Sequence, residues 1–304
     1  MLRVLITGVT GFVGTHLVRA LAARGDQAHG FGLGSPASDL PLASWQSGDI
    51  LDPAAIDAAL GSARPDAVVH LAGQSSAAVS FEKPVETYRA NAVGTWTVLD
   101  AVRRHAPEAR VLVVGSGEVY GPQTPGDRVA EDAPFRPVSP YALSKAAADA
   151  LADAFARCHG LTVVRTRSFG HTGPGQSPTF AVPSFARQIA AIEAGRGEPV
   201  LRVGNLEVTR DLTDVRDVVD AYLALLDRGQ PGRAYNVCRG EGVRLDDVVR
   251  RMVERARVNV RIEVDPARVR PSDLPWLVGD PGAIARDTGW RAETPLDRTL
   301  DEVL

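Results

Sequence analysis

The first fourteen residues restrict the fold more than any other segment. Arg3-Val4-Leu5-Ile6-Thr7 is a short apolar run rich in β-branched residues, the pattern of a buried strand, and it leads directly into Gly8-Val9-Thr10-Gly11-Phe12-Val13-Gly14. Phe12, Val13, Leu17, Val18 and Leu21 then recur at helical spacing, and Gly25 supplies a stop. A strand, a tight turn and a helix start are therefore written in order. Glycines there let the backbone turn sharply and approach a ligand, while the N–H groups of the new helix's first turn bind a pyrophosphate. The expectation is a dinucleotide held by Gly8, Thr10, Gly11, Phe12, Val13 and Gly14, although three glycines alone would equally serve a plain strand-to-helix turn.

Strand-like and helix-like segments alternate downstream. Residues 27–32, 67–71, 110–115 and 161–167 read as strands, and 53–60, 85–104 and 141–159 as helices, the rhythm of a doubly wound parallel sheet in an α/β fold. It breaks at the turn-rich loop Gly170-His171-Thr172-Gly173-Pro174-Gly175-Gln176-Ser177-Pro178, after which 214–227 and 233–237 supply one more helix and strand. The expected division is a dinucleotide-binding Rossmann domain of residues 1–172 plus about 209–238, and a smaller C-terminal substrate-binding lobe of about 173–208 plus 239–304.

Composition narrows the partners. The net charge is −3 with no long basic run, which argues against nucleic acid. Cys158 and Cys238 are the only cysteines and lack metal-ligand spacing, so neither a zinc site nor a disulfide framework is expected. No apolar stretch approaches membrane-spanning length, and a strand that begins beside Met1 leaves no room for a signal peptide, so a cytoplasmic protein is expected.

Lys83 and Lys145 are the only lysines among 34 basic residues. Lys145 lies four residues after Tyr141 in Pro140-Tyr141-Ala142-Leu143-Ser144-Lys145, where proline opens a run of good helix formers, so the two share one helix face. A phenol with a pKa near ~10 exchanges protons poorly at neutrality, but a neighbouring cation lowers that value and makes Tyr141 a candidate general acid or base. A packed tyrosine and a solvated lysine on an ordinary helix are the alternative.

Several segments resemble, in combination and over essentially the whole chain, the extended short-chain dehydrogenase/reductases that act on nucleotide sugars, the NAD-dependent epimerase/dehydratase family. They are Thr7-Gly8 with Gly11 and Gly14, Gly48-Asp49-Ile50, His70-Leu71-Ala72-Gly73, Asn91-Ala92-Val93-Gly94-Thr95, Ser116 with Val119-Tyr120-Gly121, Tyr141 with Lys145, and Arg210-Asp211 with Asp214-Val215-Arg216-Asp217-Val218. The resemblance implies a catalytic set of Ser116, Tyr141 and Lys145. In it, Ser116 hydrogen-bonds the reacting oxygen and Lys145 also holds the nicotinamide ribose. It implies that Asp49 and Ile50 flank the adenine, with Leu71, Ala72, Gly73, Asn91 and Phe169 completing the cofactor site. Arg210 and Arg270 would hold the sugar-nucleotide diphosphate, and Glu118, Gly170, His171, Phe180, Ser184, Arg187 and Asp273 would complete the substrate site. A homodimer is implied too, with the helices around 85–104 and 141–159 pairing across a two-fold axis.

Within that family, segments 167–176, 180–190 and 270–280 most resemble enzymes that reduce GDP-4-keto-6-deoxy-D-mannose to GDP-D-rhamnose. The implied chemistry is hydride transfer to C4 with protonation of O4 by Tyr141. Gly170 departs from the asparagine common in relatives. A dehydratase needs a general acid directly after the Ser116 position; Gly117 cannot donate a proton, although Glu118 could act as a base. The position that would present a carboxylate to the adenosine ribose falls at Gly32, which leaves a 2′-phosphate unrepelled, and no arginine follows. NADPH is expected, with NADH allowed. A 6-deoxytalose-forming reductase, a nucleotide-sugar 4-epimerase or dehydratase, and a non-catalytic NADP-binding sensor or scaffold stay open.

Overall fold

A computed structural model describes residues 1–269 and 274–304. Strands β1 (Arg3–Thr7), β2 (Gln27–Gly32), β3 (Ser44–Ser47), β4 (Ala67–His70), β5 (Arg110–Ser116) and β6 (Val163–Ser168) join the edge strand Ala234–Val237 in a seven-stranded sheet. Its order is Ala234–Val237, β6, β5, β4, β1, β2, β3, and every pairing is parallel. This is the expected doubly wound sheet. Alternation along β1 explains how it is covered: Val4 and Ile6 enter the core under helices Phe12–Ala23 and Val215–Arg228, while Leu5 enters the opposite core under Pro53–Ala63, Gly94–His105 and Pro140–His159.

Two local departures from the sequence pattern matter for the site. The helical stretch expected over 85–104 is divided into Pro84–Tyr88, a π-helical turn Arg89–Val93, and Gly94–His105. A π turn inserts one extra residue per turn, and it brings the Asn91 side chain inward, where it is 1% exposed. The strand β3 and the short helix Ala77–Glu82 carry no periodic apolar signal, β3 being four residues with Trp45 as the one large apolar side chain.

A smaller lobe stands beside the carboxyl edge of the sheet. Its helices Ala181–Glu193, Leu245–Arg255 and Leu296–Val303 share a separate core that includes Phe185, Ile189, Met252 and Leu300. A four-stranded sheet of Gly242–Arg244, Thr209–Asp214, Trp276–Leu277 and Gly170–Thr172 connects this lobe to the large one. Two segments cross the division anticipated from sequence. Thr209–Asp214 pairs within the small sheet, whereas Ala283, Ile284 and Trp290 pack into the large sheet's core. Trp290 Nε1 donates to the Asp217 carbonyl at 2.9 Å, which returns the C-terminal segment to helix Val215–Arg228.

The glycine turn is packed to contact. A Cβ added at Gly14 would lie 2.6 Å from the Val9 carbonyl oxygen and 2.7 Å from that of Gly8. Both neighbours are backbone, so Gly14→Ala must displace the turn or the helix. The expected cost is about 1–3 kcal/mol, read as a lower thermal midpoint; an unchanged midpoint would show that the turn accommodates a methyl group and that the close approach is not needed for stability.

Candidate active site

Parallel strands β1 and β4 are neighbours, but the segments that follow them run to opposite faces, which opens a crevice at their carboxyl ends. At Gly8, with φ of +75°, a Cβ would sit 2.7 Å from the Ala72 backbone nitrogen, so the two turns touch there through backbone alone. Gly11 begins helix Phe12–Ala23 in an extended conformation and no side chain caps that end. The first-turn N–H groups are thus left for a ligand. They open on a cavity of about 710 Å³ lined by Gly8, Thr10, Gly11, Phe12, Val13 and Gly14 at one side and by Asp49, Ile50, Leu71, Ala72, Gly73 and Phe169 around it.

Ser116, Tyr141 and Lys145 line the same cavity. Ser116 ends β5, where its Oγ accepts from the Glu118 amide at 3.2 Å. Tyr141 is the second residue of helix Pro140–His159, whose start is fixed by Pro140 and by Ser139 Oγ accepting from the Ala142 amide at 3.0 Å. One turn further, Lys145 Nζ donates to the Val114 carbonyl at 3.0 Å. The Tyr141 hydroxyl hydrogen-bonds Ser116, but burial raises its pKa and the Glu118 carboxylate raises it further, against the lowering effect of that bond. The expected lowering of the phenol's pKa by Lys145 is therefore not what the environment produces. Burial dominates both groups, holding Tyr141 as a neutral phenol and pulling Lys145 down to about 8.

A buried polar chain ties these elements together. The Thr95 hydroxyl donates to the Asn91 carbonyl at 2.6 Å, so Thr95 Oγ1 can only accept from His70, 3.0 Å away. His70 must then carry its proton on Nε2 and accept at Nδ1 from Thr7 Oγ1, at 2.7 Å. Thr7 Oγ1 in turn accepts from the Ala72 amide at 3.3 Å. Burial, assisted by the nearby Lys145 charge, lowers the His70 pKa to about 3, in keeping with this neutral tautomer. The Asn91 amide continues the chain: Oδ1 accepts from Gln74 N at 2.8 Å, and Nδ2 donates to Gln74 O at 2.9 Å and Ser144 Oγ at 2.8 Å. Ser144 Oγ donates to the Tyr141 carbonyl at 2.7 Å. Asn91 thus stands behind the cavity wall that Gln74 lines, rather than in the wall itself.

A second cavity of about 590 Å³ lies in the smaller lobe and shares Gly170, His171, Gln176, Phe180 and Arg210 with the first. Arg210 Nη1 donates to the Thr209 and Leu274 carbonyls at 2.9 and 2.6 Å. His171 Nδ1 donates to the Phe169 carbonyl at 2.9 Å, and its ring stacks on Phe12 at 6.2 Å, joining the glycine turn to the junction of the cavities. Glu118 lines the first cavity and Ser184 the second. Arg187 lines neither: helix Ala181–Glu193 turns Val182, Phe185, Ala186 and Ile189 inward, which leaves Arg187 on the exposed face. Arg270 and Asp273 lie outside the described residues.

Other lining residues carried no pattern of their own in the sequence, among them Gln74, Ser75, Ser76 and Tyr222. Their signal was position: the first three follow β4 at the carboxyl edge, and Tyr222 lies on the inner face of its helix, with its hydroxyl 2.7 Å from Ser168 Oγ. Two glycines are explained by what surrounds them. A Cβ at Gly170 would lie 2.8 Å from the Asp211 carbonyl oxygen, so an asparagine there would need the backbone to move. A Cβ at Gly117 would meet the Phe169 ring at 2.9–3.0 Å.

The arrangement fits a dinucleotide, with a glycine turn whose Gly8 and Gly14 are packed against backbone too closely for a Cβ and an uncapped helix N-terminus at the cavity. No group of three or more His, Cys, Asp or Glu side chains able to hold a metal is found among the described residues.

Comparison with known proteins finds a reductase, dehydratases and epimerases similar to the chain. The family described as GDP-mannose 4,6 dehydratase matches residues 5–303. The GDP-6-deoxy-D-mannose reductase of Pseudomonas aeruginosa is 36% identical over 303 residues, covering 99% of this chain and 96% of that protein. The solved structure of RMD from Pseudomonas aeruginosa complexed with NADPH superposes with a TM-score of 0.85 at 33% identity, over 100% of this chain and 98% of that one. The UDP-glucose 4-epimerase of Thermus thermophilus, solved with NAD, gives a TM-score of 0.89 at 29% identity over 99% and 97% of the two chains.

The His70 tautomer has a pH consequence. Its folded pKa of about 3 lies below the ordinary value of 6.5, so between those values the unfolded chain binds a proton that the folded chain does not. Stability from this group is full above pH 6.5 and is lost as pH falls toward 3. His70→Gln should flatten this dependence. Thermal midpoints at pH 7.5, 6 and 5 should fall more steeply for the wild type than for the variant, and parallel curves would show that His70 is not the group responsible.

Proposed function

The chain belongs to the GDP-mannose 4,6-dehydratase family of extended short-chain dehydrogenase/reductases, and from that premise we propose that it reduces the C4 ketone of GDP-4-keto-6-deoxy-D-mannose to GDP-D-rhamnose with NADPH. One observation carries the reading: the dinucleotide cavity and the second cavity meet at Gly170, His171, Phe180 and Arg210, and Ser116 and Tyr141 line the first of them. A relative 36% identical over nearly its whole length is a GDP-6-deoxy-D-mannose reductase, and the superposed RMD structure holds NADPH.

When bound, the nicotinamide supplies the hydride. The chain's own residues do the rest. Reduction of a ketone consumes a proton, and Tyr141, kept neutral by burial and by Glu118, is the group to give it to O4. Ser116 hydrogen-bonds the same oxygen and polarises the carbonyl. Lys145 would hold the nicotinamide ribose; Gly8 to Gly14, Asp49, Ile50, Leu71, Ala72, Gly73 and Phe169 would hold the remainder of the cofactor. On the substrate side Arg210 suits a diphosphate because its guanidinium is planar and permanently charged, while Gly170, His171, Phe180 and Ser184 would enclose the sugar nucleotide. The smaller lobe is thus the substrate lobe.

Against elimination stands Gly117, which offers no acid and whose Cβ position is closed by Phe169.

Two surface features complete the reading. No helix among the described residues is long and apolar enough to cross a membrane, and a cytoplasmic enzyme acting on a GDP-sugar fits that surface. Leu143 of helix Pro140–His159 is 54% exposed in a groove with Val85, Tyr88 and Val138, and on the adjacent helix Gly94–His105 Trp96 is 50% exposed against Phe155. Such an apolar face on two adjacent helices is suited to a second copy of the chain, giving a homodimer.

Purified protein mixed with GDP-4-keto-6-deoxy-D-mannose should oxidise NADPH, with NMR of the product giving the C4 configuration. Tyr141→Phe should lower turnover by ~10²–10⁴-fold while NADPH affinity stays unchanged; turnover near the wild-type level would remove Tyr141 from the mechanism. For the interface, Leu143→Asp should convert a dimer to a monomer in sedimentation velocity, and a wild-type protein that sediments as a monomer would refute the homodimer.

A further inference from the structure

Asp149 lies on the same helix as Tyr141 and Lys145, two turns beyond the tyrosine and on the same face. It is 4% exposed, an unusual place for a carboxylate, and it is held by two arginines from β6. Arg165 Nη1 donates to it at 2.8 Å, and Arg167 Nε at 3.0 Å. Arg165 also reaches Asp153, one turn further, at 2.9 Å. The catalytic helix is thereby tied to the strand next to β5.

Arg167 continues the connection to Ser116. Its Nη1 donates to the Tyr120 hydroxyl at 2.8 Å and to the Glu131 carbonyl at 2.6 Å. Its guanidinium stands 4.6 Å from the Phe135 ring centre and 5.3 Å from that of Tyr120. Tyr120 ends the 3₁₀ turn Gly117–Tyr120 whose N-cap is Ser116, and its hydroxyl donates to Asn236 Oδ1 at 2.7 Å. On the sheet, Arg167 is the β6 partner of Gly115, the residue before Ser116. One buried cation therefore touches the helix that carries Tyr141 and the turn that starts at Ser116.

Stability alone is a weak reason for such a pair. Burying two charges costs several kcal/mol per ion, and well-packed apolar substitutes are often as stable. What apolar substitutes lack is direction: a guanidinium fork fixes distance and angle to Asp149 and Tyr120 together, which leucine cannot do and an ammonium point charge does only in part. We propose that Arg167, paired with Asp149 and Tyr120, is a positioning residue that sets the Ser116–Tyr141 hydrogen bond for proton transfer to the substrate oxygen. The inference rests on the reading that Tyr141 is the proton donor.

The double variant Arg167→Leu/Asp149→Leu removes both charges together, so no unpaired ion is left buried. Its thermal midpoint is expected within a few degrees of the wild type. Its kcat is expected to fall by about 10–100-fold, the scale of a misplacement near 1 Å, with KM for NADPH and for GDP-4-keto-6-deoxy-D-mannose unchanged and a larger solvent deuterium isotope effect. Arg167→Lys keeps a charge beside Asp149 but not the fork to Tyr120. It should fold, lower kcat in the same way and decide the matter where the double variant does not fold. A folded variant with kcat within twofold of the wild type overturns the proposal, as does a fall in kcat matched by loss of cofactor binding. Should Tyr141→Phe retain full turnover, the proton-donor reading itself fails; an inactive Tyr141→Phe beside a fully active Arg167→Lys would refute only the positioning role.

Discussion

A parallel sheet covered by helices on both faces leaves chemistry only its carboxyl edge. Much of the candidate site obeys that constraint. The glycine turn follows β1, Asp49 follows β3, Gly73 follows β4, Ser116 ends β5, and Phe169 and Gly170 follow β6. A residue at a strand end has no choice of direction beyond the strand's own register, because a slip of one residue reverses its face. Holding register at that edge is therefore the structural problem, and buried polar groups answer it. His70 joins β1 to the helix after the π turn through Thr7 and Thr95, and Asn91 joins the π turn itself to Ser144, three residues after Tyr141. At the lobe junction Asp211 has a related task, accepting from the Arg239 and Gly240 amides at 2.8 Å each and so anchoring the strand that carries Arg210.

Burial governs the charges at this edge more than pairing does. It takes Lys145 down to about 8, His70 to about 3 and Asp211 up to about 6, each toward its neutral form. For Tyr141 the same effect keeps the proton on the phenol, the form a reduction requires. A site meant to take a proton from an alcohol would need the opposite setting. Under the proposed mechanism, position rather than a lowered pKa makes the tyrosine an acid toward O4, since an alkoxide forming within hydrogen-bond reach is the stronger base.

The sheet was legible because buried parallel strands are written as β-branched runs, and β5 and helix Pro140–His159 fall within a residue of where the pattern puts them. The pairing of Tyr141 with Lys145 on one helix face was legible for the same reason. The electrostatic outcome was not, because spacing carries no information on burial or on the approach of Glu118. The π turn escaped because one inserted residue leaves hydrophobic periodicity nearly intact; only the inward Asn91 amide, satisfied by Gln74 and Ser144, reveals it. Arg187 separates two kinds of inference. The family resemblance put it at the substrate, while the helical period of Val182, Phe185, Ala186 and Ile189 requires it to face solvent. Gly117 was readable as the absence of an acid, but the crowding of its Cβ position by the Phe169 ring comes from two segments that meet only in the fold.

That contact bears on how one scaffold can serve reduction rather than elimination. The chain keeps Glu118, the residue that could serve as a base in a dehydratase, yet has no acid before it. In this cavity the Glu118 carboxylate disfavours the Tyr141 phenolate by like charge. Phe169 meanwhile fills the space next to Gly117 and also lines the dinucleotide cavity, so the ring that excludes an acid is in a position to shape the cofactor's seat. Loss of the elimination acid and retention of the tyrosine's proton are then connected through one short turn, Ser116 to Tyr120. The Arg167–Asp149 pair joins the end of that turn to the helix that carries Tyr141, so under the proposed mechanism the electrostatic setting and the geometry of proton delivery are fixed at neighbouring points of the same segment.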